Sequence, residues 1–144
     1  MPSLDHVGLR ASDLDRSIPF YREMFGLSLE DRRFFPNGRV EAAMMRVSPY
    51  SVIFLLSDPD AQPLPADDTG RPEHFCLLFE PDEFRDVMAR LEAAGVFARL
   101  ECELRPRTGA QGRTSSKYIL DPDNNIIEVK VRTTAAEAAE PVAA

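Results

Sequence analysis

Apolar and polar residues follow one another along the chain in an order that predicts a β-α-β-β-β module in the first half. A short alternating run predicts a strand at Leu4–Arg10, and Ser12 and Asp13 supply N-cap chemistry for a helix. Apolar residues recur at helical spacing over Leu14–Phe25, and Gly26 is placed as the stop of that helix. Three strand-like runs separated by proline-containing turns follow: Ser28–Phe34, Arg39–Val47 and Ser51–Leu56.

The second half repeats this plan. A strand is predicted at Glu73–Phe79 and a helix at Asp82–Ala94, with Gly95 as its stop. Between this helix and the end of the module the pattern predicts three further strands at Phe97–Leu104, Ser115–Leu120 and Asn125–Val131, with Arg105–Arg113 as a loop after the first. Such a repeat is detectable in the order of elements more than in residue identity.

The segments between and after these modules have a different composition. Residues 58–71 contain three prolines and several aspartates, which favours a linker over a helix or strand. Residues 133–144 are rich in alanine and glutamate and have no apolar face, so we expect a disordered tail. The sequence therefore predicts a first module at 1–57, a linker at 58–71, a second module at 72–132 and the tail, all within one structural domain.

Composition and charge limit the classes of partner. The chain has 144 residues and a formal net charge of −7, which argues against nucleic acid or an anionic membrane as a partner. The two cysteines, Cys76 and Cys102, lack CxxC spacing, so a reduced, cytoplasmic setting is expected in place of a disulfide scaffold. No signal peptide and no apolar stretch long enough to cross a bilayer is recognisable in the sequence.

The two halves place three chemically interesting residues at related positions. His6 and His74 are the two histidines of the chain, and each falls in the opening strand of its module, where we predict a position near the strand's middle. Superposing the closing strands of the two halves aligns SVIFLL with NIIEVK, so Phe54 and Glu128 occupy equivalent positions. A histidine in a strand is most often a core residue and a glutamate is most often solvated. In-register strands point their side chains into one cavity, however, and a cation would offset the cost of burying Glu128.

Three segments together resemble the vicinal oxygen chelate superfamily. They are LDHVGLRASDLDRSIPFYREMFGLSL, EHFCLLF and YILDPDNNIIEVKV, and the resemblance spans residues 4–132. The superfamily includes glyoxalase I, fosfomycin-resistance proteins, methylmalonyl-CoA epimerase, bleomycin-resistance proteins and extradiol dioxygenases. The resemblance implies an α+β fold in which two βαβββ modules form a curved, incompletely closed mixed sheet around a metal cavity. His6, His74 and Glu128 occupy the ligand positions that it implies on strands one, five and eight.

Departures from the subfamily patterns bear on the reaction. Phe54 stands where glyoxalase I and the epimerase have a fourth protein ligand, so a glyoxalase I function is weakened. Extradiol dioxygenases use a further histidine that this chain lacks, and classical catechol cleavage is disfavoured. Fosfomycin-resistance enzymes have a threonine two residues after the first histidine and basic residues near the C-terminus, where this chain has Gly8 and the acidic Glu137 and Glu140.

The resulting hypothesis is a metal-dependent enzyme, dioxygenase-like or glyoxalase-like, that polarises a small substrate with chelating oxygens. The cation is Fe, Mn, Zn or Ni, since two imidazoles and a carboxylate do not select among them. Tyr118, ten residues before the glutamate, is the candidate catalytic residue. Phe54, Arg107 and Arg113 are candidate substrate-binding residues, the arginines being suited to an anionic group.

On family grounds we expect a homodimer, in which His6 belongs either to the same chain as the other ligands or to its partner. The alternative function is a bleomycin-resistance-type protein that binds and sequesters a small molecule without turnover.

Overall fold

The computed structural model describes residues 1–65, 71–100 and 102–133. Part of the predicted linker and nearly all of the predicted tail lie outside these residues. The expectation that the tail is disordered therefore concerns residues outside the described ones. The chain divides into two compact units, one formed by Met1–Asp67 with Asp121–Asn125 and the other by Asp68–Leu120 with Ile126–Ala144. No helix within the described residues is long and apolar enough to cross a membrane.

The first unit contains a four-stranded mixed sheet and one helix. Its elements in chain order are β1 (His6–Ala11), α1 (Leu14–Phe25), β2 (Ser28–Phe34), β3 (Glu41–Ser48) and β4 (Ser51–Ser57). The strand order is β1-β4-β3-β2, with β1 parallel to β4 and the other neighbours antiparallel. β1 and β4 are the first and last strands of the module in sequence, yet they are neighbours in the sheet. Their side chains are therefore adjacent.

The second unit has the same topology. Its elements are β5 (His74–Phe79), α2 (Pro81–Ala93), a 3-10 turn (Val96–Arg99), β6 (Arg105–Gly109), β7 (Gly112–Leu120) and β8 (Ile126–Val131). The strand order is β5-β8-β7-β6, and β5 is parallel to β8. The predicted α+β class, with two βαβββ modules and mixed sheets, is confirmed.

Both helices begin at residues with N-terminal capping chemistry, and α1 also ends at a residue suited to that position. The Asp13 carboxylate caps α1 by accepting a hydrogen bond from the Asp15 N–H, and Gly26 ends α1 with a left-handed backbone (φ 71°). At α2, Glu80 and Glu83 form a capping box. The buried face of α1 includes Ile18, Tyr21 and Phe25, and that of α2 includes Val87 and Leu91, so each helix covers its sheet with one apolar face.

The region after α2 differs from the prediction. The described residues 97–100 and 102–104 are not in a strand, because the left-handed Gly95 (φ 71°) leads into the 3-10 turn. Arg105–Arg113 is not a loop, because its two glycines bound a β-hairpin in which Gly109 pairs with Gly112 across a two-residue turn. Gly112 has a positive φ of 85°, which the tight connection requires. Turn-forming residues here mark a hairpin that carries three arginines on its strands, Arg105, Arg107 and Arg113.

The register of the strands supports the predicted correspondence between the halves. His6 pairs with Val52 and His74 pairs with Ile126, so Phe54 and Glu128 both lie two residues beyond the partner of the histidine. Each histidine is the first residue of its strand, and the expected position near the middle was wrong. This placement at the strand end leaves both imidazoles partly exposed.

Candidate metal site and its cavities

The second unit brings His74 and Glu128 together. Alternation along β8 sets Glu128 on the same face as Ile126, and the paired strand β5 begins with His74. Glu128 is only 5% exposed, and its Oε2 lies 3.4 Å from the Nε2 of His74. A buried carboxylate therefore faces an imidazole nitrogen at a distance slightly longer than a hydrogen bond.

The other ring nitrogen of His74 indicates which tautomer is present. Nδ1 lies 2.8 Å from the Pro72 carbonyl oxygen, which can only accept, so Nδ1 carries a proton. In the neutral ring, Nε2 then presents a lone pair toward the carboxylate of Glu128. Two such groups repel each other unless a proton or a cation lies between them. The donor set thus fits a divalent cation, and the backbone contact of Nδ1 is typical of metal-binding histidines.

Ser116 fixes the second oxygen of Glu128. Its hydroxyl donates to Oε1 of Glu128 at 2.5 Å, which leaves Oε2 directed at His74. Cys76 lies opposite Glu128 on β5. Burial, followed by repulsion from the Glu128 carboxylate, raises the pKa of the Cys76 thiol to about 12. At neutral pH Cys76 is therefore an uncharged neighbour of the glutamate.

Tyr118 lies beside both groups. It pairs with Glu128 across β7 and β8, and its ring makes an edge contact with His74 at a centroid distance of 5.1 Å. Burial raises the pKa of Tyr118, and the negative charge of Glu128 raises it further. The phenol accordingly keeps its proton at neutral pH and can act as a hydrogen-bond donor.

The two arginines predicted to bind substrate lie on opposite faces of the hairpin. The Arg107 guanidinium stacks over Tyr118, with its carbon 4.5 Å from the ring centroid, and donates to the Ser116 carbonyl oxygen at 2.5 Å. Strand alternation puts Arg113 on the face of β7 away from Tyr118. The structure thus brings Arg107 to the other candidates and does not bring Arg113 there.

A cavity of about 530 Å³ opens beside this cluster. His74 and Tyr118 form part of its wall, and the apolar part includes Leu100 and Ile126. These two apolar residues also belong to a small buried cluster against which Tyr118 packs. The reactive side chains therefore border a space large enough for a small organic molecule.

The first unit presents His6 in a cavity of its own. The Nδ1 of His6 lies 2.7 Å from the Asp5 carboxylate, and its ring meets Phe54 edge-on at a centroid distance of 5.2 Å. Because Asp5 is the acceptor, the Nε2 of His6 is the nitrogen that retains a lone pair. The cavity, of about 230 Å³, is also lined by Met44 and Leu56, so Phe54 forms part of an apolar wall.

The predicted site residues thus fall into two groups. His74, Glu128 and Tyr118 lie together in the second unit with Arg107, and His6 contacts Phe54 in the first. Within either unit, the described residues include no group of three His, Cys, Asp or Glu side chains arranged to hold a metal ion. The three-ligand set remains a prediction.

Sequence reasoning missed the groups that hold the ligands in place. Ser116 could have been found, because it precedes Tyr118 by two residues and must share its face of β7. Asp5 directly precedes His6, although adjacency alone does not indicate a contact. The contact of His74 with the Pro72 carbonyl oxygen could not be predicted from the sequence, because every residue has a backbone carbonyl.

The DPDNN turn between β7 and β8 belongs to the first unit and has a structural role. Asp123 accepts hydrogen bonds from the hydroxyls of Ser12 and Ser17, and Asp121 accepts one from Tyr21 at 2.7 Å. Asn124 has a positive φ of 64°, a conformation that asparagine tolerates better than most residues. The turn is therefore tied to the start of α1 by buried carboxylates.

The fold and the site define a class of protein, and comparison with known families supports it. A model of the Glyoxalase/Bleomycin resistance protein/Dioxygenase superfamily matches residues 3–129, and the chain belongs to this superfamily. The resemblance to the vicinal oxygen chelate superfamily is confirmed.

Proteins that are similar to this chain include a transferase, a virulence protein and a fosfomycin-resistance protein of known structure. The glutathione transferase FosA of Serratia marcescens is 27% identical over 139 residues, which cover 96% of this chain and 87% of the relative. The virulence protein STM3117 of Salmonella typhimurium is 27% identical over 130 residues, covering 88% and 81%. Among solved structures, the fosfomycin-resistance protein FosX of Listeria monocytogenes, crystallised with Mn(II) and sulfate, has a TM-score of 0.66 and 18% identity. The match covers 97% of this chain and 99% of that one, and at this identity it shows the fold alone.

Proposed function

We propose that this chain is a metal-dependent enzyme of the vicinal oxygen chelate superfamily whose divalent cation is bound by His74, Glu128 and His6. The proposal depends most on the 3.4 Å approach of His74 Nε2 to Glu128 Oε2, with Nδ1 of His74 already engaged by a carbonyl oxygen. Two imidazoles and one carboxylate leave open positions for substrate oxygens. The Mn(II) in the FosX structure is in keeping with a divalent ion of this kind.

The chain's own residues would divide the chemical work. A bound cation would act as a Lewis acid on the substrate's chelating oxygens. Tyr118 would donate a hydrogen bond to a substrate oxygen on which charge develops, because its raised pKa keeps it protonated. Phe54 would supply an apolar wall beside His6. Arg107 would hold Tyr118 in place, and Arg113, on the other face of β7, gains no support as a substrate-binding residue from its placement.

The proposed substrate is a small molecule with chelating oxygens, acted on in a dioxygenase-like or glyoxalase-like reaction. Phe54, which cannot coordinate a metal, weakens the case for glyoxalase I itself. Gly8, opposite Phe54, likewise stands where fosfomycin-resistance enzymes have a threonine and offers no hydroxyl, which weakens the case for a FosA-like substrate. We further propose that the active form is a homodimer.

Metal binding tests the proposal directly. The protein is stripped with a chelator and refilled separately with Fe²⁺, Mn²⁺, Zn²⁺ and Ni²⁺, and affinity is measured by calorimetry and, for Mn²⁺, by electron paramagnetic resonance. At least one ion should bind at one site per chain, and His74→Ala or Glu128→Gln should weaken it by about a hundredfold or more, beyond the effect of losing an outer-shell partner. Lys117→Ala, on the opposite face of β7 from Tyr118, is the control and should bind normally.

Failure of all four ions to bind would contradict the proposal. In that case the 3.4 Å approach of His74 to Glu128 would be a contact without a cation.

The apolar cavity around His6 favours small-molecule sequestration as a second candidate function. Its walls of Phe54, Met44 and Leu56 suit an apolar ligand with or without a cation. Ligand binding that persists in both His6→Ala and His74→Ala would support this alternative over the enzyme.

A further inference from the structure

The cavity of the second unit has an unusual charge for this chain. Its wall includes three arginines, Arg71, Arg105 and Arg107, and one carboxylate, Glu103, whereas the chain as a whole has a net charge of −7. An arginine-lined concave surface attracts anions and disfavours cationic ligands. Over the residues that the structure describes, the wall of this cavity therefore has a charge opposite to that of the chain.

Arg107 is not the residue best placed to bind an anion. Its guanidinium donates to the carbonyl oxygens of Ser116 and Glu103 and to the Cys102 thiol, while its face covers Tyr118. Most of its donors are thus occupied by the protein. Arg107 fastens β6 to β7 and orients the phenol.

Arg105 lies on the same face of β6 as Arg107 but does not make these contacts. It precedes Arg107 by two residues on β6 and pairs with Ser116, so its side chain lies on the face that carries Tyr118. It is exposed, and its guanidinium makes no hydrogen bond or ion pair within the described part of the chain. A planar fork of donors without a protein partner is suited to bidentate binding of a carboxylate or phosphate group.

The ordinary interpretation is that an exposed arginine is simply hydrated. Arg113 provides a comparison within the same hairpin, because it is also exposed but lies on the opposite face of β7. What distinguishes Arg105 is that it shares a cavity with His74 and Tyr118.

We propose that Arg105 binds the anionic group, a carboxylate or phosphate, of a small organic acid whose apolar part lies against Leu100 and Ile126. This assignment names the substrate class of the proposed enzyme and rests on that function for the reaction. The binding itself requires no cation. Arg105 is accordingly a specificity-determining residue whose effect can be measured without turnover.

Benzoate is a suitable probe, with benzyl alcohol as its uncharged counterpart. Binding to the metal-free full chain is followed by NMR titration at low ionic strength. Benzoate should bind saturably and benzyl alcohol should not, and added salt should weaken binding. Arg105→Gln should weaken benzoate binding by about tenfold, the loss expected for one charge-assisted hydrogen-bonding partner. The benzoate affinity of Arg105→Lys should fall between those of the wild type and Arg105→Gln. The affinity of Arg113→Gln should remain within about twofold of the wild type.

Equal weakening by Arg105→Gln and Arg113→Gln would overturn the assignment, as would equal binding of the uncharged probe or no saturable binding of benzoate. The outcome is separate from that of the metal proposal. Arg105→Gln should leave metal affinity unchanged, and a chain that binds benzoate through Arg105 but no metal would refute the enzyme and keep the anion site.

Discussion

At the scale of single residues, the properties of Glu128 depend on Ser116. The carboxylate is 5% exposed, and the Ser116 hydroxyl at 2.5 Å is the neutral donor that fixes one of its oxygens. Removing that donor leaves a buried charge less well solvated and lets the carboxylate rotate away from His74. The position of the candidate ligand is thus set by a residue that binds no metal itself.

We predict that Ser116→Ala weakens metal affinity about 10- to 100-fold, the range found for outer-shell partners. The free energy of unfolding of the metal-free protein should fall by about 1–3 kcal/mol, because a buried acceptor loses its donor. Ser115→Ala, one residue away on the opposite face of β7, is the matched control and should change metal affinity little. Equal loss of affinity in both variants would contradict a specific role for Ser116.

Tyr21 is a second residue whose hydroxyl matters. It is fully buried and donates to Asp121 at 2.7 Å, so Tyr21→Phe should lower the free energy of unfolding by about 1–3 kcal/mol in urea titrations at neutral pH. Tyr50→Phe is the control, because Tyr50 is 81% exposed and should change stability little. A loss no larger than that of the control would show that the hydrogen bond to Asp121 is not stabilising.

The contact of Tyr21 with Asp121 also predicts that the free energy of unfolding depends on pH in the alkaline range. Burial, and then the charge of Asp121, raises the pKa of Tyr21 well above its ordinary value of about 10. Above that ordinary value the unfolded tyrosine loses its proton while the folded one keeps it, so the wild type loses stability as the pH rises further. Tyr21→Phe should lack this part of the decline. Urea titrations of both proteins between pH 8 and 11, at about half-unit steps, measure the difference, and parallel curves would contradict the assignment.

At the scale of elements, the β6–β7 hairpin depends on its turn. Gly112 has a φ of 85° with nothing near the position of an added Cβ, so a substitution there is limited by backbone conformation and not by space. Gly112→Val should destabilise the protein by about 1–2 kcal/mol in thermal unfolding, and Gly112→Asn should cost clearly less because asparagine tolerates this region. Equal costs would indicate that side-chain crowding, rather than conformation, decides the effect.

The same hairpin shows how far elements can be predicted from the sequence. Leu14–Phe25 was predicted with its observed bounds because Asp13 and Gly26 mark both ends with cap chemistry. Between Gly95 and Gly112 the prediction failed, since a glycine with φ above zero occurs equally in a loop, a 3-10 entry and a hairpin turn. Only the pairing partner distinguishes these, and the pairing of Gly109 with Gly112 was not predicted because Gly-Ala-Gln-Gly lacks the Asn-Gly or Asp-Gly pair typical of two-residue hairpins.

At the scale of the whole molecule, the repeat was the informative signal. It predicted that Phe54 and Glu128 are equivalent, and the register bears this out. It did not predict that the DPDNN turn belongs to the first unit, because the hydrogen bonds of Asp121 and Asp123 with α1 link residues at least a hundred positions apart. Contacts of this sequence separation cannot be read from local patterns.

The distribution of the proposed ligands over two units leads to a prediction about assembly. His6 lies in the first unit, and His74 and Glu128 lie in the second. If modules of two chains combine, which is one of the two arrangements that the family resemblance leaves open, a mixed dimer of His6→Ala with Glu128→Gln contains one intact ligand set and one with both changes. Co-refolding the two variants in equal amounts should then restore about a quarter of the wild-type metal sites, since half of the dimers are mixed and each has one good site of two.

A mixture of His74→Ala with Glu128→Gln is the control for this experiment. Both changes lie in the second unit, so every ligand set in that mixture is defective whichever chains combine, and no site should return. Bound Mn²⁺ counted by electron paramagnetic resonance, with each variant also refolded alone, gives the comparison. Restoration in the first mixture but not in the second requires ligands from two chains. If neither mixture recovers sites although both form dimers, each chain completes its own ligand set, and the exchange of modules is excluded.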